Sequence, residues 1–442
     1  MTMEESGRQG LAVPSGRLAR VASLGGAVGG IAADMAARGL GQAVRGQRPR
    51  LRDLMLTPGN VGRLTDELAR MRGAAMKMGQ LLSMDAGDLL PPELAEVMAR
   101  LRSDAAPMPP KQLKAVLTAA WGEGWIRRFR SFGTTPIAAA SIGQVHRAVT
   151  KGGEVLAIKV QYPGVRASIG SDVDNVGTLL RLSGLMPEGV DPAPFLAEAK
   201  RQLHDEADYA QEAAQLELFG ALMAGVDGFV VPRLEPSLST RDVLAMSFEP
   251  GVAVEPLVAE PQALRDRVAA RLLGLCFREI FGFGLVQTDP NFANYRYDAA
   301  RDAIVLLDFG AARAVPEPLV GALRRMMRAA MADDRPSMRQ AAVEVGFIGA
   351  ETAEAHAVGV VEMIAMGAAP FRVSGVFDFG ADPLPDRMRE AGTALALDRS
   401  FDHVPPMDIL YLQRKLAGMY LLAARLRSRV SLRPLIEPWL EA

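Results

Sequence analysis

Three oxygen-bearing side chains carry the clearest chemistry in the chain. Asp289 and Asn294 lie five positions apart in VQTDPNFANY, and Asp308 follows fourteen positions later in IVLLDFGAAR. A loop carboxylate can accept a hydroxyl proton or orient a nucleophile, while an amide oxygen and a second carboxylate can hold a divalent cation through oxygen. Lys159, in VLAIKV, adds a cation. Its alternation with Ile158 and Val160 lets the ammonium leave the apolar face of a strand and meet phosphate oxygens. Together these types and spacings point to phosphoryl transfer from ATP, with Asp289 as the catalytic carboxylate and Asn294 and Asp308 as ligands of Mg2+.

The pattern is that of protein kinase-like sites, in which an Asp and an Asn on one loop precede a strand ending in Asp-Phe-Gly. Asp-Phe-Gly alone is a weak signal: FDFG recurs at Phe377 to Gly380 without an Asp/Asn pair upstream, so Asp378 is expected to be structural. A strand lysine alone is usually a solvated side chain. Upstream of Lys159, however, AAASIGQV superposes on the nucleotide-loop pattern G-x-G-x-x-G-x-V, with Ala138 and Ala140 in place of two glycines and Gly143 and Val145 retained. Ala138, Ala139, Ala140, Ser141, Gly143 and Gln144 are therefore expected around ATP, in a loop that the added Cβ atoms make stiffer than a glycine loop. After Asp308 the pattern turns helical within about ten residues and no Ala-Pro-Glu follows, which leaves no platform for a peptide substrate.

These residues need an α+β frame. A helical N-terminal region runs to the proline cluster near residue 108. A strand section follows, with a hairpin turning at the Lys-Gly-Gly of 151 to 153. A long helical pattern covers Phe195 to Met223, RDVLAMSFE reads as another strand, and from Val254 the chain is mostly helical apart from a second hairpin in RYDAARDAIVLLDFG. The expected division is 1–108, 109–250 and 251–442. Within the first segment, Val61, Leu64, Leu68, Met71, Ala75, Met78 and Leu82 form one apolar helical stripe, with Lys77 and Gln80 on the opposite face. On a single straight helix at about 100° per residue, Asp208 and Glu212 lie within about 40° of each other, whereas Glu206 is displaced from Glu212 by about 120°. Both glutamates then cannot aim at one lysine.

Composition narrows the class. Fifty Lys and Arg against 51 Asp and Glu give a net charge of −1, which argues against a general nucleic-acid binder. One cysteine, Cys276, excludes an intrachain disulfide and suits a reducing compartment, and four scattered histidines offer no zinc-type cluster. No apolar run reaches the roughly 18 residues of a spanning helix. The nearest segment, Val21 to Asp34, places Gly25, Gly29 and Ala33 at close-packing spacing between Arg17 and Arg20 on one side and Arg45, Arg48, Arg50 and Arg52 on the other. It reads either as a helix resting on anionic headgroups or as a Gly/Ala-rich surface helix. Two glutamates among the first ten residues argue against a secretory leader.

The alanine-rich loop, KMGQ at Lys77 to Gln80, EADYAQEAA at Glu206 to Ala214, QTDPNFANY and LLDFGA occur in the order seen in the UbiB family of atypical kinases, and the chain most resembles its coenzyme Q biosynthesis branch. In much of that family the catalytic loop is closer to HxDPHPGN; Gln287 and Asn291 stand here instead. The resemblance implies an atypical, two-lobed protein kinase-like fold, with an N-terminal helical extension covering the active site and a mostly helical C-lobe. It implies that Glu212 pairs with Lys159, that Glu206 and Asp208 pair with Lys77, and that Lys77 and Gln80 turn inward where a peptide would otherwise dock. It further implies a magnesium-dependent ATPase or kinase acting on a lipid or quinone precursor, together with other quinone-biosynthesis proteins. Its expected place is the cytoplasmic side, peripherally on an anionic inner-membrane face. Two other readings stay open: a small-molecule kinase of the aminoglycoside or choline type, and a nucleotide-binding scaffold without turnover. Retention of Lys159, Asp289, Asn294 and Asp308 speaks against the second.

Overall fold

A computed structural model of the chain describes residues 74, 107–182, 193–397, 403 and 405–441. The glycine-rich segment 21–34, Lys77 and Gln80 lie outside the described residues. The chain divides into two compact units, one of Met1–Ala214 with Arg233–Phe248 and the other of Gln215–Pro232 with Glu249–Ala442.

The described part of the first unit is a helix on an antiparallel sheet, with three further helices. Helix α1 (Pro110–Trp121) starts with a proline, where the missing N–H costs nothing. Leu113, Leu117 and Trp121 recur every four residues along it and are buried. Strands β1 (Phe129–Phe132), β2 (Ala138–Ala139), β3 (Gly143–Thr150) and β4 (Val155–Gln161) follow. Helices α2 (Val165–Leu182), α3 (Ala193–Glu206) and α4 (Tyr209–Leu222) come next, then β5 (Phe229–Val230), which belongs to the second unit, and β6 (Val243–Ser247). The sheet runs β1-β3-β4-β6, with β2 paired to β3. β3 and β4 form the expected hairpin, and Gly153 takes the positive φ of 90° that its turn requires. Period-two alternation sends Leu156, Ile158 and Val160 into the core with Leu113, Leu117, Trp121 and Trp125. Ala157 and Lys159 face the other way.

The helical pattern over Phe195 to Met223 is not one helix. It breaks at Ala207 and Asp208, where α3 ends and α4 begins. The Asp208 carboxylate accepts from the backbone N–H groups of Ala210 and Gln211, satisfying donors that a helix start leaves orphaned. The Ala207 carbonyl, freed by the break, accepts from Gln161 Nε2 at 2.8 Å and from the Arg166 guanidinium. The bend is therefore tied by hydrogen bonds to β4 through Gln161 and to α2 through Arg166.

In the second unit, β7 (Val252–Ala253), β8 (Leu285–Gln287), β9 (Tyr295–Asp298), β10 (Ala303–Leu306) and β11 (Ala312–Ala314) lie among helices. β9 and β10 are the second expected hairpin, extended into a sheet of order β5-β10-β9-β7, while β8 and β11 pair separately. The helices are α5 (Gln262–Phe277), continued by a π turn over Arg278–Phe283, α6 (Glu317–Met331), α7 (Arg335–Val345) and α8 (Glu354–Arg372). A two-residue strand, β12 (Phe377–Asp378), leads to α9 (Leu384–Leu397), α10 (Met407–Arg425), β13 (Arg429–Val430) and α11 (Arg433–Leu440). Small side chains such as Ala329, Ala330, Ala342, Ala357 and Ala365 let α6, α7 and α8 approach closely around Met338 and Val361.

Gly143 opens β3 for a steric reason. A Cβ there would overlap the Val160 carbonyl oxygen and stand 2.9 Å from Tyr209 Oη, neither of which can move without breaking the sheet or the α4 start. Gly143→Ala is expected to destabilise the fold by about 1–3 kcal/mol, the usual range for overpacking. A melting temperature equal to that of the native chain would show that the strand can shift to accept the methyl group.

Candidate active site

Lys159 leaves β4 on the face opposite the core and meets α4. Its Nζ donates to Glu212 Oε1 at 2.7 Å and Oε2 at 2.8 Å, and it lies 5.0 Å from the centroid of the buried Tyr209 ring. Only 3% of the Glu212 side chain and 12% of the Lys159 side chain are exposed, so the pair is held far from bulk water. A charge-assisted bond to both carboxylate oxygens fixes the ammonium more tightly than a single contact would.

Glu206 and Glu212 meet different partners, as the wheel of one straight helix had it, but across the break at 207–208; Asp208, which that wheel placed within about 40° of Glu212, lies in the break and meets other partners again. Glu206 Oε2 accepts from Ser141 Oγ at 2.6 Å, which ties the end of α3 to the alanine-rich loop. Asp208, beyond capping α4, lies 3.7 Å from Arg166 and 3.5 Å from Arg241. Lys77, the partner expected for both, is outside the described residues.

The loop turns between β2 and β3. Ala140 N–H donates to the Gly143 carbonyl at 2.9 Å, and Ala138 pairs with Val145. No residue from 138 to 144 has a positive φ, so alanine occupies positions 138 and 140 without strain. Ala138 and Ala139 are exposed, and Ser141 is half-buried. Gln144, expected with the loop residues around ATP, is 1% exposed; its side chain accepts from Met108 N–H at 2.8 Å and contacts His146 Nε2 at 2.8 Å. Residue alternation along β3 turns it to the core side. Burial also lowers the His146 pKa, so its ring stays neutral within this network.

In the second unit the loop after β8 is bonded to the segment after β10. Asn294 Nδ2 donates to Asp289 Oδ2 at 3.3 Å, and the Asn294 carbonyl accepts from Leu307 N–H at 3.0 Å, one residue before Asp308. Asn291, where the wider pattern has histidine, caps the turn Phe292–Asn294 by accepting from Ala293 N–H. Asp308 Oδ1 accepts from Gly310 N–H at 2.9 Å, and Phe309 is buried against Phe219 with ring centroids 5.0 Å apart. Asn294 and Asp308 line one small cavity together with Gln287, Glu279 and Phe309. The donor set fits magnesium: a carboxylate and an amide whose nitrogen is turned to Asp289, leaving its oxygen to face elsewhere. Among the described residues no group of three or more His, Cys, Asp or Glu side chains is placed to hold a metal ion.

Residues 100–342 match the model of the ABC1 atypical kinase-like domain. The chain belongs to the UbiB (ABC1) family of atypical kinases. It is 35% identical over 421 residues to the mitochondrial atypical kinase COQ8 of Saccharomyces cerevisiae, covering 95% of this chain and 83% of that protein. It is 37% identical over 432 residues to the mitochondrial atypical kinase COQ8B of Rattus norvegicus, covering 96% and 80%. Among solved structures, the complex of Rv3197 with erythromycin from Mycobacterium tuberculosis aligns with a TM-score of 0.61 at 25% identity, over 84% of this chain and 93% of that one. The α+β kinase-like fold, the atypical kinase class and the coenzyme Q branch expected from the motifs all agree with these relatives.

Two side chains of this UbiB-family site escaped the sequence reading. Gln287, read only as a substitution for histidine, accepts from Asp289 N–H through Oε1 at 2.6 Å and donates to the Asp308 carbonyl through Nε2 at 3.2 Å. One buried amide thus spans both segments, a use to which its donor and acceptor ends are suited. Arg414, 125 positions after Asp289, donates to Asp289 Oδ1 at 3.2 Å. No local pattern announces such a contact.

Asp378 repeats the turn of Asp308, accepting from Gly380 N–H at 3.0 Å, but its other oxygen accepts from Arg429 Nε at 3.2 Å across the β12–β13 ribbon. Asp378→Asn is expected to keep nucleotide turnover within about twofold of the native chain, because exposed ion pairs contribute little. A large loss of turnover in a folded Asp378→Asn protein would transfer the catalytic assignment to this second copy.

Proposed function

We propose that this UbiB-family kinase binds ATP with magnesium and hydrolyses it, or transfers its γ-phosphoryl group to a small lipid-like acceptor, in support of coenzyme Q biosynthesis. The observation that carries the reading is the bonded unit of Asp289, Asn294 and Asp308, closed by the hydrogen bond from Leu307 N–H to the Asn294 carbonyl. In that reading Asn294 and Asp308 hold magnesium, which neutralises phosphate charge when bound. Asp289 orients the attacking hydroxyl or water and receives its proton. Lys159, held by Glu212, binds phosphate oxygens, and the loop from Ala138 to Gly143 lies against the nucleotide. Lys77 and Gln80 are proposed to cover the site, together with Glu206 and Asp208.

The acceptor class follows from the segment after Asp308. Helix α6 begins at Glu317, so only eight residues separate it from Asp308, too few for the long segment on which kinases seat a peptide. A small or lipid-borne acceptor is the alternative. The COQ8 names of the relatives support other coenzyme Q proteins as partners. No described helix is long and apolar enough to cross a membrane, and a peripheral seat on anionic lipid is the arrangement we propose.

The deciding experiment measures ATP hydrolysis with and without magnesium, anionic liposomes and a phenolic quinone-precursor mimic, with soluble alcohols as competing acceptors. Magnesium-dependent hydrolysis raised by liposomes and the mimic is expected, and chelation should abolish it. Asp308→Asn should reduce turnover at least about a hundredfold while the protein remains folded, since the metal's main carboxylate is lost. Unchanged hydrolysis in that variant would remove this site from the mechanism, and transfer to soluble alcohols would favour a small-molecule kinase.

The alanines give a separate expectation. Ala140→Gly relaxes a loop held by the Ala140 N–H to Gly143 carbonyl bond, at a backbone cost of only about 0.5–1 kcal/mol. ATP and ADP affinities, read by calorimetry alongside autophosphorylation, are expected to change. Identical binding and activity in the two proteins would make this loop a plain strand connection.

A further inference from the structure

Helix α10 presents Tyr411, Arg414, Lys415 and Gly418 at spacings of three, four and seven positions, which places them on one face. Each meets the segments that carry Asp289, Asn294 and Asp308. Arg414 donates to Asp289 Oδ1 at 3.2 Å, with 11% of its side chain exposed. Because Asn294 Nδ2 donates to Oδ2, the two oxygens of Asp289 are engaged by different donors, and the plane of the carboxylate is set. At Gly418, a Cβ would overlap Pro290 Cβ and stand 2.8 Å from Cγ; the missing side chain lets the loop lie directly on the helix. The Arg313 guanidinium, in β11 just after Asp-Phe-Gly, lies 4.5 Å over the Tyr411 ring.

Lys415 is the least ordinary of the four. It is 1% exposed, its Nζ lies 3.1 Å from Glu279 Oε2, and it donates to Tyr295 Oη at 3.1 Å. Tyr295 is the residue after Asn294 and is itself buried. Burial acts most strongly against the Lys415 charge, but the Glu279 carboxylate together with Tyr295 and Cys276 outweighs it and raises the pKa of the amine. A buried Lys–Glu pair seldom adds stability over apolar residues of the same volume. What it does add is direction: a three-donor ammonium pins the tyrosine hydroxyl, and with it the Asn294 end of the loop.

We propose that this face of α10 is a platform for the catalytic loop, and that Arg414 and Lys415 are positioning residues for phosphoryl transfer, Arg414 setting the Asp289 carboxylate and Lys415, through Tyr295, setting Asn294. The inference rests on the functional reading above, in which Asp289, Asn294 and Asp308 act on ATP and magnesium. Misplacing a reacting group by about 1 Å can cost a hundredfold in rate without loss of binding. Removing the platform should therefore lower kcat and spare nucleotide affinity.

The test uses the full chain and compares Arg414→Met, Arg414→Lys and the paired replacement Lys415→Met with Glu279→Leu, which leaves no buried charge unpartnered. Magnesium-dependent ATP hydrolysis gives kcat and KM, calorimetry gives ADP affinity, and thermal melting reports folding. Arg414→Met and the paired variant are expected to lose at least about tenfold in kcat, with KM and ADP affinity within about twofold. Arg414→Lys should recover part of the loss. Native kcat in folded Arg414→Met and in the folded paired variant, with Asp308→Asn inactive, would overturn the platform alone. A parallel fall of kcat, ADP affinity and melting temperature, or failure of both Arg414→Met and Arg414→Lys to fold, would make these residues structural and overturn it as well. Native hydrolysis in Asp308→Asn, or none in the native chain, would overturn the functional reading and this inference together.

Discussion

A loop of seven residues between β8 and β9, of which Thr288 alone is buried, has to hold Asp289 and Asn294 in place. It is held by hydrogen bonds that its backbone and flanking side chains make inside the protein. Here the partners are Gln287, whose amide reaches both Asp289 N–H and the Asp308 carbonyl, Thr288, whose N–H and hydroxyl both donate to the Ala311 carbonyl, and Leu307, which donates to Asn294. The consequence is that the loop and the Asp-Phe-Gly segment are joined by hydrogen bonds from Gln287, Thr288 and Leu307. For the proposed role of Asn294 and Asp308 as metal ligands, two loosely held segments would lose the orientation that oxygen coordination requires.

The first unit solves a related problem with different means. A lysine on the polar face of a strand is entropically free and well solvated, and holding it in one place takes an anion that is also fixed. Glu212 is fixed because α4 begins at a capped break, and the break is bonded through the Ala207 carbonyl to Gln161 on the same strand as Lys159. The chain thus returns to β4 twice, once through a backbone carbonyl and once through a carboxylate. Gly143 belongs to the same arrangement, since its lack of a Cβ admits Tyr209, the first residue of α4, beside the strand.

Alanine in the loop before β3 is consistent with this economy. Glycine-rich nucleotide loops exploit positive φ values, whereas the loop here uses none between residues 138 and 144. Its turn closes with a single backbone bond and a Ser141 hydroxyl tied to Glu206. Under the proposed function, the short connection from Asp308 to α6 goes with a small or lipid-borne acceptor, which needs no seat for an extended peptide.

What could be read without coordinates was local. The β3–β4 and β9–β10 hairpins follow from alternation and turn residues. The five-position spacing of Asp289 and Asn294, the strand before Asp308 and the early start of α6 are likewise properties of short stretches. The family motifs ordered these stretches into a kinase-like chain. The break at Ala207 and Asp208 had a local signal, an aspartate followed three positions later by Gln211, but a periodic apolar pattern running through it concealed the helix start. Other features had no such signal. The Gln144 side chain, one residue past Gly143, turns into the core because of the sheet's register, and Gln287 becomes a bridge only when β8 and β11 align. Arg414 and Lys415 reach Asp289 and Tyr295 across more than a hundred positions. Periodicity and turn chemistry depend on neighbours in the chain, so the sequence alone determined the elements and the spacing of the reactive groups. Which charge meets which carboxylate depends on the path the chain takes in space, and only the tertiary structure decided that.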